Sequence, residues 1–233
     1  MDGEPRWPEA GGTSVWVNCA CSLDGRLAFA GGERARLSSA EDLARVHRIR
    51  AGAEGILVGV GTVLKDDPSL RVHWEELGRA KGRDPTRVIV DGSGRTPAGA
   101  RVLDGSIPTI VATSERARRA YPPHVRTVVV GASRVDLGGL FDRLPELGVR
   151  RLLVEGGAEI LASVIRGGLF HKLTVYYAPV VIGGSTAPPM VAGAETRGPA
   201  ELTPLRLADV TRVGEGHVAT YLPATTKASD RPA

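Results

Sequence analysis

Two neighbouring carboxylates stand close behind a glycine-containing turn in this sequence. Asp66 and Asp67 lie directly before a proline, and Gly61 and Thr62 form the turn that precedes them. The apolar run 56–60 predicts a buried strand that leads into this turn. Such a strand end brings backbone N–H groups to the edge of a sheet, where a phosphate-bearing ligand can bind. The segment therefore predicts a ligand site with acids beside it that could transfer a proton.

A third carboxylate, Glu155, directly follows the apolar run 152–154 and is expected to end a buried strand facing the same cleft. A carboxylate in that place can accept two hydrogen bonds from the amino edge of a pyrimidine. The start of a helix would also favour an acid, because the helix dipole is positive there. Glu155, Asp66 and Asp67 are the candidate catalytic acids, and the sequence does not rank them.

Three glycine-containing turns, at 59–62, 91–94 and 155–158, each follow a predicted strand. In a parallel sheet, ligands bind beyond the carboxyl ends of the strands, where these turns would meet. Together the turns favour a nucleotide-sized ligand. The Rossmann fingerprint is absent because Leu64 stands where its third glycine would be needed, and no Gly-Lys-Ser/Thr follows any of the turns. A dinucleotide would therefore be held by a different frame.

Other chemistries find no support in the residue spacing. A zinc site needs histidines or cysteines at short intervals, and no such metal spacing links the residues of these types. They are His47, His73, His124, His171, His217, Cys19 and Cys21. Neither a zinc-deaminase signature nor the Gly-x-Ser-x-Gly elbow of serine hydrolases is present. We expect no metal in the site.

The composition is that of an ordinary globular protein, with 42% hydrophobic and 24% charged residues in a chain of 233. The net charge of +4 comes from scattered arginines without a basic stripe, which disfavours nucleic-acid binding. The sequence has no apolar run of about 18 residues to span a membrane. Two cysteines without a disulfide framework fit a reducing cytoplasm. We expect flexible tails at 1–13 and 224–233 around one domain at 14–223.

Strand-like and helix-like segments alternate over the first three quarters of the chain. The predicted strands are 15–19, 56–60, 87–90, 109–112, 127–130, 151–154, 173–181, 205–213 and 217–222. Helices are predicted from Ser39 to about Arg50, in an arginine-rich stretch between 112 and 127, and over 137–147 and 158–165. This order predicts an α/β fold, with a mixed, mostly parallel sheet, helices on both faces and an antiparallel C-terminal edge.

Five stretches carry a resemblance to a known family. They are VNCACSLDGRLA, LSSAEDLARVHRIRAGAEGILVGVGTVLKDDPSLRVH, RVIVDGSGR, LLVEGGAEI and YYAPVVIGG, in that order along the chain. In these stretches the sequence resembles the dihydrofolate-reductase-like pyrimidine reductases of riboflavin biosynthesis, most closely the standalone archaeal type. The bifunctional bacterial relatives carry a zinc deaminase domain in front, which is not expected here.

The resemblance implies NADPH as cofactor and a pyrimidine ribosyl phosphate as substrate. The implied cofactor-binding residues are Gly61, Thr62, Asp66, Asp91, Gly92, Ser93, Gly94, Gly131, Gly156, Gly157, Ala158 and Glu159. Arg95 is our candidate for the 2′-phosphate, because that discrimination needs a fixed cation. The implied substrate-binding residues are Asn18, Arg50, Leu70, His73 and Glu155. Arg34 and Ala35 replace a serine-containing substrate segment of some relatives, and Arg36 and His73 stand at positions that vary.

The implied reaction is the NADPH-dependent reduction of the ribosylamino group of 2,5-diamino-6-ribosylamino-4(3H)-pyrimidinone 5′-phosphate to a ribitylamino group. The deaminated 5-amino-6-ribosylamino-uracil 5′-phosphate is an alternative substrate. A dihydrofolate or pterin-type reductase on the same frame is a second enzyme hypothesis. A nucleotide-binding protein without turnover is the hypothesis from a different class. A homodimer joined through sheet edges is also implied, with the strand at 173–182 as the apolar candidate.

Overall fold

A nine-stranded sheet organises the chain. The computed structural model describes residues 5–193 and 195–224. The strands are β1 (Ser14–Ser22), β2 (Gly55–Gly59), β3 (Thr86–Val90), β4 (Thr109–Thr113), β5 (Val125–Val129), β6 (Arg151–Gly156), β7 (Lys172–Ala178), β8 (Leu205–Val213) and β9 (Gly216–Pro223). Their order across the sheet is β5-β4-β3-β2-β6-β1-β7-β9-β8.

The strands from β5 across to β7 pair in parallel, whereas β9 runs antiparallel to both β7 and β8. The helices are α1 (Ala40–Gly52), α2 (Val60–Asp66), α3 (Leu137–Arg143) and α4 (Ala158–Arg166). Short 3-10 turns lie at Arg101–Leu103, Leu144–Leu147 and Pro199–Glu201. The predicted fold class is confirmed, including the antiparallel edge.

Side chains alternate along the central strands, and this alternation builds a core on each face of the sheet. Leu57 of β2 packs into the cluster that contains residues of α3 and α4. Its neighbours Ile56 and Val58 pack into the cluster that contains Ile49 of α1 and Val63 of α2. Burial on both faces explains why these strands appear in the sequence as continuous apolar runs.

The prediction of a helix in the arginine-rich stretch between 112 and 127 is wrong. The segment after β4 forms turns and irregular chain up to β5. Two adjacent prolines, Pro122 and Pro123, lack backbone N–H groups and disfavour the helical conformation of the residues before them. The segment instead folds over the end of β3, where the Tyr121 hydroxyl bonds the Asp91 carboxylate at 2.9 Å.

Residues 5–13 form no helix or strand, but they contact the domain. Trp7 packs edge-on against Trp16 of β1, with 5.3 Å between the ring centroids. The Ser14 hydroxyl also donates a hydrogen bond to the Pro8 carbonyl at 2.6 Å. Residues 1–4 and 225–233 of the expected tails lie outside the described residues. Among the described helices, none is long and apolar enough to cross a membrane.

Candidate active site

A cleft of about 1620 Å³ opens at the carboxyl ends of the parallel strands. Its floor and walls come from the segments after β2, β3, β5 and β6, together with the loops that follow β1 and β7. The turn expected at Gly61 and Thr62 is not formed, because α2 begins directly after β2 and both residues lie in its first turn. The loops after β1 and β7 are fastened to each other by Asp24, whose carboxylate accepts the N–H groups of Ile182 at 3.0 Å and Gly183 at 2.8 Å. The Ile182 N–H, followed by the Ser22 hydroxyl, lowers the pKa of Asp24 to about 2.

The structure brings most of the predicted cofactor residues to this cleft. Those that line it are Gly61, Thr62, Asp66, Gly92, Ser93, Arg95, Gly156, Gly157, Ala158 and Glu159. A Cβ atom added at Gly61 or Gly156 would meet nothing within 4 Å, so both backbones are open to a ligand. Gly156 has a φ of +125°, and the Gly156–Gly157 peptide bond is cis. An added Cβ at Gly157 would lie 3.2 Å from the Thr62 hydroxyl oxygen, across a narrow cradle.

Three other predicted cofactor residues shape turns and do not line the cleft. Asp91 is fully buried, and its carboxylate accepts hydrogen bonds from the N–H groups of Gly94, Arg95 and Thr96 at 3.0, 2.9 and 2.7 Å. Gly94 has a φ of +77°. Gly131 has a φ of +90°, and an added Cβ there would clash with the Arg134 carbonyl oxygen, so only glycine fits.

Glu155 lines the cleft at the end of β6 and is held from behind by Arg50 of α1. The Arg50 Nε and one terminal nitrogen donate to the two carboxylate oxygens, each at 2.7 Å. The remaining terminal nitrogen donates to the Arg71 carbonyl at 2.9 Å. Arg50 itself does not line the cleft, so its guanidinium fixes the carboxylate and ties the segment around Arg71 to it.

A register shift in the sheet sets Glu155 apart from its neighbours. Leu57 of β2 pairs with Val154, but the next residue, Val58, pairs with Gly156. Glu155 therefore has no partner residue in β2. An extra residue of this kind bends a strand and re-aims its side chain, as is common beside active sites.

The other predicted substrate residues lie away from the cleft. Asn18 is buried, and its side-chain oxygen accepts hydrogen bonds from Arg45 at 2.9 Å and Thr174 at 2.8 Å. Leu70 is only 3% exposed and packs in the core on the α1 face, with a φ of +52°. His73 is exposed and stacks on His47, with 4.2 Å between the ring centroids.

The two adjacent acids, Asp66 and Asp67, lie in different surroundings in the structure. Asp66 lines the cleft. Asp67 ends α2 in a left-handed conformation with a φ of 36°, and its carboxylate accepts the Arg101 N–H at 2.8 Å. Since Asp67 does not line the cleft, the candidate acids that face a bound ligand are Asp66 and Glu155.

One group of possible metal ligands occurs among the described residues. It consists of His47, His73 and Glu76, whose ligand atoms lie within 4.8 Å of one another. The His73 backbone N–H donates to Nδ1 of His47 at 3.2 Å, so the neutral His47 ring carries its proton on Nε2, which faces Glu76. Burial, followed by the charges of Arg50 and His73, lowers the pKa of His47 to about 4. A metal at Nε2 would require this tautomer to change and the backbone hydrogen bond to break.

Several charged and polar residues of the cleft were not predicted from the sequence, namely Lys65, Ser133, Arg134 and Arg166. Arg34 and Arg36, for which the resemblance gave no assigned role, line the cleft as well. They lie on loops and helix ends that meet only through the sheet order. The signal that could have suggested them is the excess of arginine, because a basic cleft accounts for charge that no basic stripe explains.

The parallel sheet with its antiparallel edge, and the cleft at the carboxyl ends of its strands, define a dihydrofolate-reductase-like α/β domain. The sequence model of the protein family described as the RibD C-terminal domain matches residues 13–219 of this chain. The chain belongs to this family.

Two archaeal relatives match nearly the full chain, and both are named 2,5-diamino-6-ribosylamino-4(3H)-pyrimidinone 5′-phosphate reductase. The protein of Archaeoglobus fulgidus is 39% identical over 88% of this chain and 96% of its own length. The protein of Methanothermobacter thermautotrophicus is 39% identical over 89% of this chain and 96% of its own length.

Solved structures share the fold. A Thermotoga maritima deaminase/reductase matches with a TM-score of 0.76 and 25% identity, over 91% of this chain and 57% of that protein. The Saccharomyces cerevisiae riboflavin biosynthesis reductase Rib7 matches with a TM-score of 0.72 and 23% identity, over 94% of this chain and 93% of that protein.

Proposed function

We propose that the protein reduces the ribosylamino group of 2,5-diamino-6-ribosylamino-4(3H)-pyrimidinone 5′-phosphate with NADPH, giving the ribitylamino product in riboflavin biosynthesis. The observation that carries the proposal is the cleft itself, in which open glycine backbones of two strand ends lie beside a fixed carboxylate, Glu155. The names of the archaeal relatives support the substrate, since those proteins match this chain over nearly its whole length.

The residues present fit a nicotinamide dinucleotide. The N-terminal ends of α2 and α4, with the glycines that precede α4, offer backbone close to the ligand, and Thr62 faces Gly157 across the cradle. Ser93, Arg95 and Arg134 stand at the far end of the cleft, after β3 and β5, and would hold the 2′-phosphate. When bound, the nicotinamide ring supplies a hydride to C1 of the opened sugar.

Side chains of the protein itself bind the substrate, orient it and donate a proton to it. Glu155, held by Arg50, presents its carboxylate to the amino and N–H groups of the pyrimidine. Fixing C1 of the substrate against the hydride donor is the main catalytic contribution, worth up to roughly 7–11 kcal/mol in well-oriented systems. The imine nitrogen of the opened sugar takes a proton as C1 gains the hydride. Of the candidate acids, Asp66 could deliver that proton from the cleft, because both carboxylate oxygens of Glu155 accept hydrogen bonds from Arg50.

A turnover assay tests the proposed function. The protein is incubated with NADPH and, separately, with the diamino pyrimidine phosphate, its deaminated counterpart and dihydrofolate, and absorbance at 340 nm is followed. We expect the fastest oxidation with the diamino substrate. Faster turnover of the deaminated compound would reassign the substrate, and turnover of dihydrofolate alone would overturn the pyrimidine assignment. Tight NADPH binding with no turnover would favour a binding protein.

Substitution of Arg95 tests the choice of NADPH over NADH. Arg95→Ala is expected to raise the KM for NADPH at least about tenfold and to leave the KM for NADH nearly unchanged, because a charge-assisted hydrogen bond is worth about 1.5–3 kcal/mol. Arg101→Ala removes an exposed arginine outside the cleft and is the matched control. Equal effects on both cofactors would remove Arg95 from the 2′-phosphate site.

The sheet edge available for a homodimer differs from the expected one. The candidate strand at 173–182 ends as β7 at Ala178, and β7 is paired on both sides, by β1 and β9. The outer strand at this end of the sheet is β8. Because the register shifts after Leu207, the residues Leu205, Leu207 and Val210 all pair with residues of β9 whose side chains lie on the same face of the sheet. All three side chains are at least 36% exposed, on the same face as the buried Leu173 and Val175 of β7. We propose that a second copy covers this face.

Substitution of Leu207 tests the dimer. Leu207→Asp should raise the dimer dissociation constant at least about thirtyfold, since loss of a central interface residue costs about 2 kcal/mol or more. Sedimentation or light scattering at several protein concentrations measures it. Thr127→Asp on β5, the opposite edge, is the control and should stay dimeric. A wild-type protein that is monomeric at high concentration would refute the proposal.

We further propose a cytoplasmic enzyme whose basic cleft serves small phosphate-bearing ligands and not nucleic acid. Cys19 and Cys21 are both buried free thiols, as suits a reducing compartment. Burial, followed by the charge of Asp24, raises the pKa of Cys21 to about 11, which keeps this thiol unreactive.

A further inference from the structure

The segment between α2 and the turn at 74–78 forms neither helix nor strand, and side chains from other parts of the fold hold its backbone. We call residues 67–73 the strap. Four hydrogen bonds each join a backbone group of the strap to a side chain outside it: Arg87 donates to the Ser69 carbonyl at 3.0 Å, Arg50 donates to the Arg71 carbonyl at 2.9 Å, Asp84 accepts the Val72 N–H at 3.0 Å, and Nδ1 of His47 accepts the His73 N–H at 3.2 Å. These side chains come from α1, from β3 and from the residues just before β3.

The side chains that hold the strap are withdrawn from solvent. Arg87 and His47 are buried, and the Asp84 side chain is only 10% exposed. Most connections run over the surface, where water satisfies their backbone groups. Taking polar and charged side chains out of water is costly, even when they form hydrogen bonds. Their convergence on one short segment indicates that its exact position matters for more than connecting α2 to the next element.

The strap joins two of the carboxylates that line the cleft. It begins directly after Asp66, the last residue of α2. Further along, the Arg71 carbonyl accepts one nitrogen of the Arg50 guanidinium, whose other donors hold both oxygens of Glu155. A guanidinium is planar and its donors have a fixed geometry, so a displaced Arg71 carbonyl would turn the plane that orients Glu155.

We propose that the strap sets the position of Glu155 relative to Asp66, and that His47 and Asp84 are the positioning residues that hold it in place. Neither of them lines the cleft, so they act through the strap and Arg50. Burial of apolar side chains of the strap does not fix the direction of a carbonyl group, because the hydrophobic effect is non-directional, whereas hydrogen bonds do fix it. The reaction that the two carboxylates serve rests on the proposed function.

Substitutions at His47 test the strap. His47→Leu removes the acceptor of the His73 N–H, whereas His47→Asn keeps an acceptor oxygen near the position of Nδ1. We expect His47→Leu to lower kcat/KM for the pyrimidine phosphate at least about tenfold, since a misplacement of about 1 Å caused far from the chemistry can cost about a hundredfold. His47→Asn should recover most of this loss. The dissociation constant for NADPH should stay as in the wild type in both variants.

Two comparisons distinguish positioning from stability. Nδ1 of His171 accepts the Val15 N–H at 3.1 Å near the amino end of β1, outside the cleft. His171→Leu therefore removes a hydrogen bond of the same kind and should leave kcat/KM nearly unchanged. In a Glu155→Gln background, His47→Leu should lower kcat/KM little further, because its effect passes through Glu155.

Amide hydrogen exchange gives a readout that needs no turnover. The Val72 and His73 amides, followed by NMR, should exchange faster in Arg50→Met/Glu155→Ala than in the wild type, because the guanidinium that holds the Arg71 carbonyl is gone.

Unchanged exchange of these amides would overturn the proposal. A loss of kcat/KM in His47→Leu that is no larger than in His171→Leu, or that adds fully to the loss in Glu155→Gln, would overturn it as well. If the wild type turns over neither pyrimidine phosphate but exchange rises in the Arg50→Met/Glu155→Ala variant, the proposed function falls and the link between the strap and Arg50 stands.

Discussion

Replacement of Glu155 by alanine is expected to lower the free energy of unfolding by about 3 kcal/mol and to reduce kcat/KM by at least about a hundredfold. The Arg50 side chain is only 19% exposed, and its bidentate partner would be gone. Removing one member of a largely buried pair leaves a charge without compensation, which costs several kcal/mol. Activity falls as well, because the carboxylate that would orient the substrate is lost from the cleft. Chemical denaturation and steady-state kinetics measure the two effects.

Companion variants separate the two contributions. Glu155→Gln keeps the shape and should recover part of the stability but little of the activity. In a double-mutant cycle, Arg50→Met combined with Glu155→Ala should be more stable than Glu155→Ala alone, because no unpaired cation remains. Additive effects of the two substitutions on stability would show that the pair is not coupled and would contradict the prediction.

Replacement of Asp91 by alanine is expected to lower the free energy of unfolding by about 4 kcal/mol, and Tm by about 10 °C. Its buried carboxylate accepts three backbone N–H groups and the hydroxyls of Thr96 and Tyr121. Alanine would leave these donors without an acceptor, and each unsatisfied buried donor costs about 1–3 kcal/mol. The turn at 91–96 positions Ser93 and Arg95, so the KM for NADPH should rise too. Thermal unfolding and cofactor titration measure these changes.

Two further observations check the Asp91 prediction. Tyr121→Phe removes one hydrogen bond to the carboxylate and should cost only about 1 kcal/mol. Burial alone would raise the pKa of Asp91, but the hydrogen bonds from Arg95 and Thr96 outweigh burial and lower the pKa below the ordinary value of an aspartate. The contribution of Asp91 is therefore present above its ordinary pKa and is lost as the pH falls through the lower value of the folded state. An Asp91→Ala variant with unchanged Tm would refute this role.

The sheet could be predicted from the sequence because its central strands are buried on both faces and carry unbroken apolar runs. The helix predicted in the arginine-rich segment before Pro122 does not form, because its charge density resembles that of a helix surface but the adjacent prolines prevent a helix from continuing. The strand predicted at 173–181 is too long, because β7 ends at Ala178 while residues 179–182 remain apolar after the pairing stops.

The candidate site was predictable where glycines closely follow strands, as at Gly61 and Gly157, because the ends of parallel strands meet at one edge. The turn predicted at Gly61 is instead the start of α2. Contacts that depend on tertiary packing were not predictable. Nothing local distinguishes Asp91, which turns inward to its own loop, from Ser93, which lines the cleft. Similarly, Arg50 bonds Glu155 only because α1 crosses behind β6, which the sequence does not reveal.

Because Glu155 has no pairing partner in β2, deletion of this one residue would not interrupt the pairing of β6 with β2. With Glu155 deleted, the pairing of Leu57 with Val154 and of Val58 with Gly156 would become continuous, and the sheet would be more regular than it is. Selection for a regular sheet and selection for a working cleft therefore act in opposite directions at this position. A design method that rewards uninterrupted strand pairing would discard the residue on which, in our proposal, the chemistry depends.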